Sequence, residues 1–233
     1  MRILHTADWH LGKLFYGSYL TEEQDYVLKH QLLPLIKDEG IDAVVLSGDV
    51  YDRSLPPTEA VALFDEMATK ITAELKVPFL VISGNHDSAA RLSFASRLLA
   101  SQGLYIAGEL DRLTDPVVLD DTYGPVAFLL APYAEPAVVR HFLGDDNLRS
   151  HEEALGALLS WQQEKIPRGM RTVCAAHAFV AGGLPATRSV PCPLAAATRS
   201  EAICSPPFPI RPWAIFTDRS RLRHRPSAMP AAC

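Results

Sequence analysis

The sequence predicts a layered α/β fold, on three observations. Short β-branched apolar runs alternate with longer segments of helical spacing. Two of those runs end on glycines, Gly48 and Gly84. Polar residues of metal-ligand type follow the runs at once: Asp8-x-His10, Gly48-Asp49-x-x-Asp52, Gly84-Asn85-His86-Asp87, and His177.

The elements are read in order. Residues 2–7 form a short strand. Residues 21–38 carry apolar side chains at helical spacing and stop near Gly40. Residues 41–47 are a β-branched run, a buried strand. Residues 58–75 form a second amphipathic helix, with Thr58 as N-cap after Pro56 and Pro57. Residues 77–83 are a strand and 88–101 a helix. Strands are expected at 104–107, 116–119, 126–131 and 172–176, and helices at 134–142 and 152–165.

Composition narrows the class. No apolar run of about 18 residues occurs, so no membrane-spanning helix is expected. The N-terminus lacks the pattern of a signal peptide. Four cysteines without a close pair give neither a zinc motif nor a disulfide framework, which fits a reducing cytoplasm. The net charge of −5 excludes a generally basic nucleic-acid coat. Residues 1–183 carry a net of −10, whereas residues 184–233 carry seven Arg, no Lys and a net of +5. Those last 50 residues also hold nine of the 18 prolines and three of the four cysteines.

The four polar clusters carry the chemistry. In open α/β sheets ligands gather beyond the carboxyl ends of the strands. Carboxylate, imidazole and amide oxygen together suit Mn²⁺ or Fe²⁺ better than a thiolate-seeking ion. A carboxylate shared by two ions describes a centre with ions roughly 3.5–4 Å apart. Singly, each cluster has a plain structural alternative. Asp-x-His or GDxxD alone is commonly a solvated turn, and Asn-His-Asp alone can cap the helix at Ser88. His177 alone can be a half-buried structural histidine. The ordered set, each member after an apolar strand, favours a metal site. His5 is expected to be a packed histidine, His30, His141 and His151 to be surface residues, and Cys174 to be a small core residue.

HTADWHLGK, LSGDVYDRSLPP and ISGNHDS resemble the first three motifs of the calcineurin-like metallophosphoesterases, and CAAHAFVAGG resembles a fourth. Within that superfamily the flanking words are similar to those of the bacterial SbcD nuclease family, over residues 1–183. The resemblance implies a β-sandwich flanked by helices, truncated at its C-terminal side. It implies a Mn²⁺-dependent DNA exonuclease and endonuclease using two divalent ions, working in the cytoplasm with an SbcC-type ATPase in DNA repair, recombination and replication. It also allows a homodimer of the nuclease subunit. Carried over by position, Asp8 and His10 bind the first ion, Asp49 bridges, and Asn85 and His177 bind the second. His86 is then catalytic and not a ligand, facing the scissile phosphate, with Asp52 or Asp87 orienting it. The alternatives are a stand-alone metallophosphatase acting on a small phosphoester and a non-catalytic remnant.

The resemblance also implies a fifth motif, Gly-His-x-His, giving each ion one more imidazole. Residues 184–233 do not contain it; their only histidine is His224. They are expected to be an aberrant, frameshifted and unstructured tail. Back-translating Trp213 to Ser220 and joining the last base of each codon to the next two permits Gly-His-Leu-His-Arg-Pro-Gln. Arg188 to Pro193 in the same frame permits Glu-Arg-Pro-Leu-Ser, which resembles the stretch after the fourth motif. The alternative is a genuine disordered basic tail or a divergent subfamily.

Overall fold

A computed structural model describes residues 1–112 and 115–179. The expected tail at 184–233 lies outside the described residues. The described chain runs β1 (Ile3–Thr6), β2 (Leu14–Phe15), β3 (Ser18–Tyr19), α1 (Thr21–Val27), a π-turn (Leu28–Leu32) and α2 (Leu33–Asp38). It continues through β4 (Ala43–Ser47), α3 (Thr58–Thr69), a second π-turn (Lys70–Glu74), β5 (Phe79–Ile82), α4 (Ala89–Leu92), α5 (Ser96–Ala100) and β6 (Leu104–Ala107). A 3₁₀ turn (Leu110–Arg112), β7 (Val117–Asp121), β8 (Gly124–Ala131), α6 (Pro136–Leu143), α7 (His151–Gln163) and β9 (Arg171–Ala176) complete it.

Two sheets carry the architecture. The first is parallel, in the order β1-β4-β5-β6. The second has the order β7-β8-β9, with β7 antiparallel and β9 parallel to β8. Side chains alternate across a strand, and the two cores follow that alternation. Val44, Leu46, Phe79 and Val81 face a core built with α3, which contributes Leu63, Phe64 and Met67. Val45, Leu80 and Ile82 face the other way, into a core shared with Val126, Phe128 and Leu130 of β8. Every residue of β4 and β5 is buried, which is why both read as continuous apolar runs. This is the α/β sandwich with helices outside that the sequence predicts. None of the described helices is long and apolar enough to cross a membrane.

Several elements differ in detail. The helix expected at 21–38 is one run broken by a π-turn, in which the amide of Leu33 bonds the carbonyl of Leu28. Pro34 follows directly and has no amide to donate, so the ladder is already disturbed there. Thr58 is the first residue of α3 and not its cap; Pro57 holds the cap position in an extended conformation. The helix expected at 88–101 is two short helices, parted by Ala95 in the left-handed region (φ 56). The β2–β3 hairpin turns through Tyr16 and Gly17, both at positive φ (48 and 86). Cys174, expected in the core, is exposed; it lies on β9, an outer strand of its sheet among the described residues. His5 lies on the outer strand β1 and bonds Ser47 Oγ through Nε2 at 3.0 Å.

Candidate metal centre

The four polar clusters converge beyond the carboxyl ends of β1, β4, β5 and β9. Backbone hydrogen bonds continue past the strands and join the loops. The amide of Asp8 bonds Gly48 O (3.1 Å), that of His10 bonds Asp49 O (2.9 Å), and that of Leu11 bonds Val50 O (2.9 Å). Gly48 N bonds Ile82 O at 3.1 Å, tying the second loop to β5.

The backbone at these positions is strained. Asp8 (φ 56), His10 (φ 46) and Asp49 (φ 45) all occupy the left-handed region, which L-residues with a Cβ avoid. Such conformations cost about 1–3 kcal/mol each and persist only where the surroundings over-determine them. Among the described residues three of the six such non-glycine residues are expected metal ligands, so the strain is concentrated where side chains must be aimed.

The two glycines make room by different means. Gly48 has φ +83 and lies against the ring of His177, where a Cβ would overlap Nδ1 and Cγ. Gly84 is needed for space alone: a Cβ there would overlap the carboxylate and amide of Asp49. Asp87 fixes the approach of the loops. Its carboxylate accepts from the amides of Val50 (3.0 Å), Tyr51 (2.9 Å) and Gly84 (2.9 Å). Burial pushes its carboxyl above the ordinary value, against the lowering effect of those three amides. Tyr51, beside it, is likewise raised by burial and by the charge of Asp87.

The side chains come together in two groups, His10, Asp49 and His86, and Asp8, Asp49 and His177, with Asp49 common to both. Asp49 is 4% exposed. One of its oxygens accepts from the amide of His86 at 3.0 Å. The other stands 3.6 Å from His10 Nε2 and 3.6 Å from His177 Nε2, beyond hydrogen-bond distance. Ligand atoms about 2.1 Å from one cation lie about 3–3.5 Å from one another, which is close to this spacing.

His177 supplies a further test of fit. Its Nδ1–H donates to Ser47 O at 3.1 Å, which leaves the lone pair of the neutral ring on Nε2. That atom stands 3.1 Å from Asn85 Oδ1 as well as near Asp49. Nε2, Asn85 Oδ1 and the Asp49 carboxylate thus stand together as three atoms that could serve one divalent cation. The hard oxygen and imidazole donors fit such an ion.

The residues named from sequence are all in this cluster: Asp8, His10, Asp49, Asn85 and His177, with His86 beside them. Neither candidate carboxylate touches His86. Its Nδ1 donates to the backbone carbonyl of Asp52 at 2.9 Å. The Asp52 carboxylate faces His10 Nδ1 instead, at 3.5 Å, with Lys13 Nζ at 3.9 Å. His10 Nδ1 is buried without a hydrogen bond, so Asp52 is the nearby acceptor for it. His151 is half-buried and stacks on Tyr133, whose ring meets that of His177 edge-on at 6.4 Å.

Comparison with known proteins gives the family. The family model described as calcineurin-like phosphoesterase matches residues 1–155. The chain is 35% identical over 183 residues to the SbcD component of the nuclease SbcCD from Staphylococcus epidermidis, covering 78% of this chain and 48% of that protein. It is 34% identical over 184 residues to the SbcD component of the same nuclease from Staphylococcus saprophyticus, covering 79% of this chain and 48% of that one. It therefore spans about half the length of these relatives. The family match encloses three of the four clusters and the strands that present them, and by that match this chain belongs to the calcineurin-like phosphoesterase family.

Proposed function

We propose that this chain carries a two-ion phosphodiesterase centre whose substrate is DNA and whose ions are Mn²⁺. The observation that carries the reading is the Asp49 carboxylate oxygen held 3.6 Å from both His10 Nε2 and His177 Nε2, with Asp49 common to the two close groups, one of which also holds His86 and the other Asp8. By the resemblance Asp8 and His10 would hold one ion, with Asp8 Oδ1 4.0 Å from His10 Nε2, Asn85 and His177 would hold the other, and Asp49 would serve both. Two such ions, when bound, polarise the phosphate and lower the pKa of water.

The chain's own residues do the rest. The Asp52 carbonyl accepts from His86 Nδ1 and turns the ring so that Nε2 is left for the substrate. Protonated there, His86 donates to the leaving oxygen or stabilises charge on the phosphate. The Asp52 carboxylate orients His10 from behind. The strained loops aim the ligands before substrate arrives, so little reorganisation is needed at the reacting phosphate.

Similarity to the two staphylococcal SbcCD subunits D supports a nuclease that works as one subunit of a complex; DNA as substrate, an SbcC-type ATPase as partner and a cytoplasmic role in repair and recombination are what the resemblance of the motifs adds to the proposal. The test uses the purified chain with Mn²⁺, single-stranded DNA and a bis-nitrophenyl phosphodiester, against a nitrophenyl phosphomonoester. Hydrolysis of DNA and the diester in preference to the monoester is the expected result. Preference for the monoester would assign the site to a phosphatase instead. Loss of tight metal binding, with no hydrolysis of any substrate, would reduce it to a non-catalytic remnant, which a full complement of two bound ions would rule out.

A further inference from the structure

The loop that bears Asp8 and His10 is held from outside the strand edge by one side chain, Gln24 of α1. Its Oε1 accepts from the amide of Gly12 at 3.1 Å. Its Nε2 donates to the carbonyls of Trp9 (3.0 Å) and His10 (2.9 Å). All three partners lie in the four residues that begin one past Asp8. The side chain is half-buried, and its backbone is anchored in turn, with Gln24 N on Leu20 O (2.9 Å) and Leu20 N on Lys13 O (2.9 Å). A closed ring results, from loop to hairpin to helix and back to the loop.

The chemistry of the ring is specific to an amide. Two carbonyls must be met by donors and one N–H by an acceptor. Glutamine supplies both ends at that reach. Glutamate has the same shape but turns an oxygen toward two carbonyl oxygens. Asparagine is one methylene short.

The loop needs this support. Asp8 (φ 56), His10 (φ 46) and Gly12 (φ 78) alternate left-handed conformations along it. On its inner side the loop is fixed by the bonds to Gly48, Asp49 and Val50. On its outer side Gln24 takes up two carbonyls and one amide that those bonds leave over. The carbonyl of His10 is held twice, by Gln24 Nε2 and by the amide of Lys13 (3.1 Å), so loss of Gln24 removes one of the two bonds on the peptide next to the His10 ring.

We infer that Gln24 is a positioning residue of the metal centre, holding Asp8 and His10 in register for the ion they share. The inference rests on the two-ion reading above. It assigns Gln24 to one ion only, since Asn85 and His177 hang from β5 and β9, which Gln24 does not touch.

The experiment titrates Mn²⁺ into the full chain and counts ions by calorimetry and electron paramagnetic resonance. The chains are wild type, Gln24→Glu, Gln24→Ala and Asp8→Ala. Asp8→Ala identifies which binding step belongs to the Asp8–His10 ion. In both Gln24 variants that step is expected to weaken roughly tenfold to a hundredfold, the range for residues that orient ligands. The other step stays within error of wild type, and the isosteric Gln24→Glu behaves no better than Gln24→Ala. Equal weakening of both steps, with a lowered unfolding temperature, would mean that Gln24 only supports the fold and would overturn the inference. So would two unchanged steps. A wild-type chain that takes up no ion would instead remove the two-ion reading, and this inference with it.

Discussion

The imidazole of His177 occupies the space that a side chain at Gly48 would need, so β9 reaches the centre only because residue 48 has no Cβ. Gly48 also sits at φ +83, where an L-side chain is strained. Gly48→Ala therefore meets two obstacles at once. It is expected to destabilise the fold by about 1–3 kcal/mol from the backbone alone, and to push His177 away from Asn85 and Asp49. Urea unfolding measures the first effect and Mn²⁺ titration the second. Uptake of both ions at wild-type affinity would separate His177 from the centre.

Asp49 is the residue whose loss is expected to be most complete. It stands in both ligand groups and also accepts the amide of His86. Asp49→Ala is expected to abolish high-affinity binding of both ions and all hydrolysis, whereas Asp8→Ala leaves one ion in place. Ion counting on the two variants distinguishes them. An Asp49→Ala protein that kept one tight ion would show that the carboxylate is not shared.

His86 is assigned to the substrate although its ring stands close to His10 and Asp49, with ring centroids of His10 and His86 4.9 Å apart. His86→Ala is expected to keep both ions and to slow hydrolysis by about 10²–10⁴-fold, the usual worth of a general acid or base. Loss of an ion from this variant would make His86 a ligand.

How far the sequence leads differs from residue to residue. β4 and β5 are legible because both of their faces are buried, and the glycines that follow them mark where the backbone must admit another group. The ligand set is legible because each ligand follows directly on such a strand. Gln24 is not, since a lone polar residue on an amphipathic helix looks like any solvated position until the loop opposite is placed. The role of Asp52 is hidden for a different reason. It acts on His86 through its carbonyl, an atom every residue has, and on His10 through its carboxylate. The break at Ala95 has no glycine to announce it. The capping box of Ser150 and Glu153 is visible in the sequence, yet the apolar period alone places the start of α7 one residue late, at Glu152 instead of His151.

The far end of the second sheet carries a pH-sensitive link. Asp121 at the end of β7 receives two hydrogen bonds from Arg171 of β9 (2.9 and 2.6 Å) and one from the amino group of Met1 (2.8 Å). The Arg171 guanidinium, and then the terminal amine, hold its carboxyl well below the ordinary carboxylate range. The folded state therefore binds this proton less readily than the unfolded chain, so the link stabilises above about pH 4, the ordinary Asp value, and fades as pH falls toward the lowered value. Asp121→Asn is expected to be less stable than wild type at pH 7, with the gap closing on acidification. Urea midpoints at pH 7, 5 and 3 measure it. A gap that widened toward pH 3 would reverse the sign and exclude the link as its cause.

Residues 184–233 differ from the rest in charge, proline and cysteine alike, and the family match ends well before them, at residue 155. We propose that they are read off frame from the DNA that encodes the remaining ligands. Two separate stretches of one alternative frame permit words that the metallophosphoesterase resemblance calls for, in the right order. The second, over Trp213 to Ser220, permits Gly-His-Leu-His. Trp has a single codon, and its last base with the first two of Ala214 fixes the leading glycine without choice, so that part of the match owes nothing to codon freedom. Sequencing the locus is expected to find that frame open beyond residue 183 and encoding both words. Restoring it by one inserted or deleted base is expected to add one imidazole to each ion and tighten both Mn²⁺ binding steps. An intact frame in the locus, with the same tail encoded in near relatives, would leave the tail a genuine part of the protein.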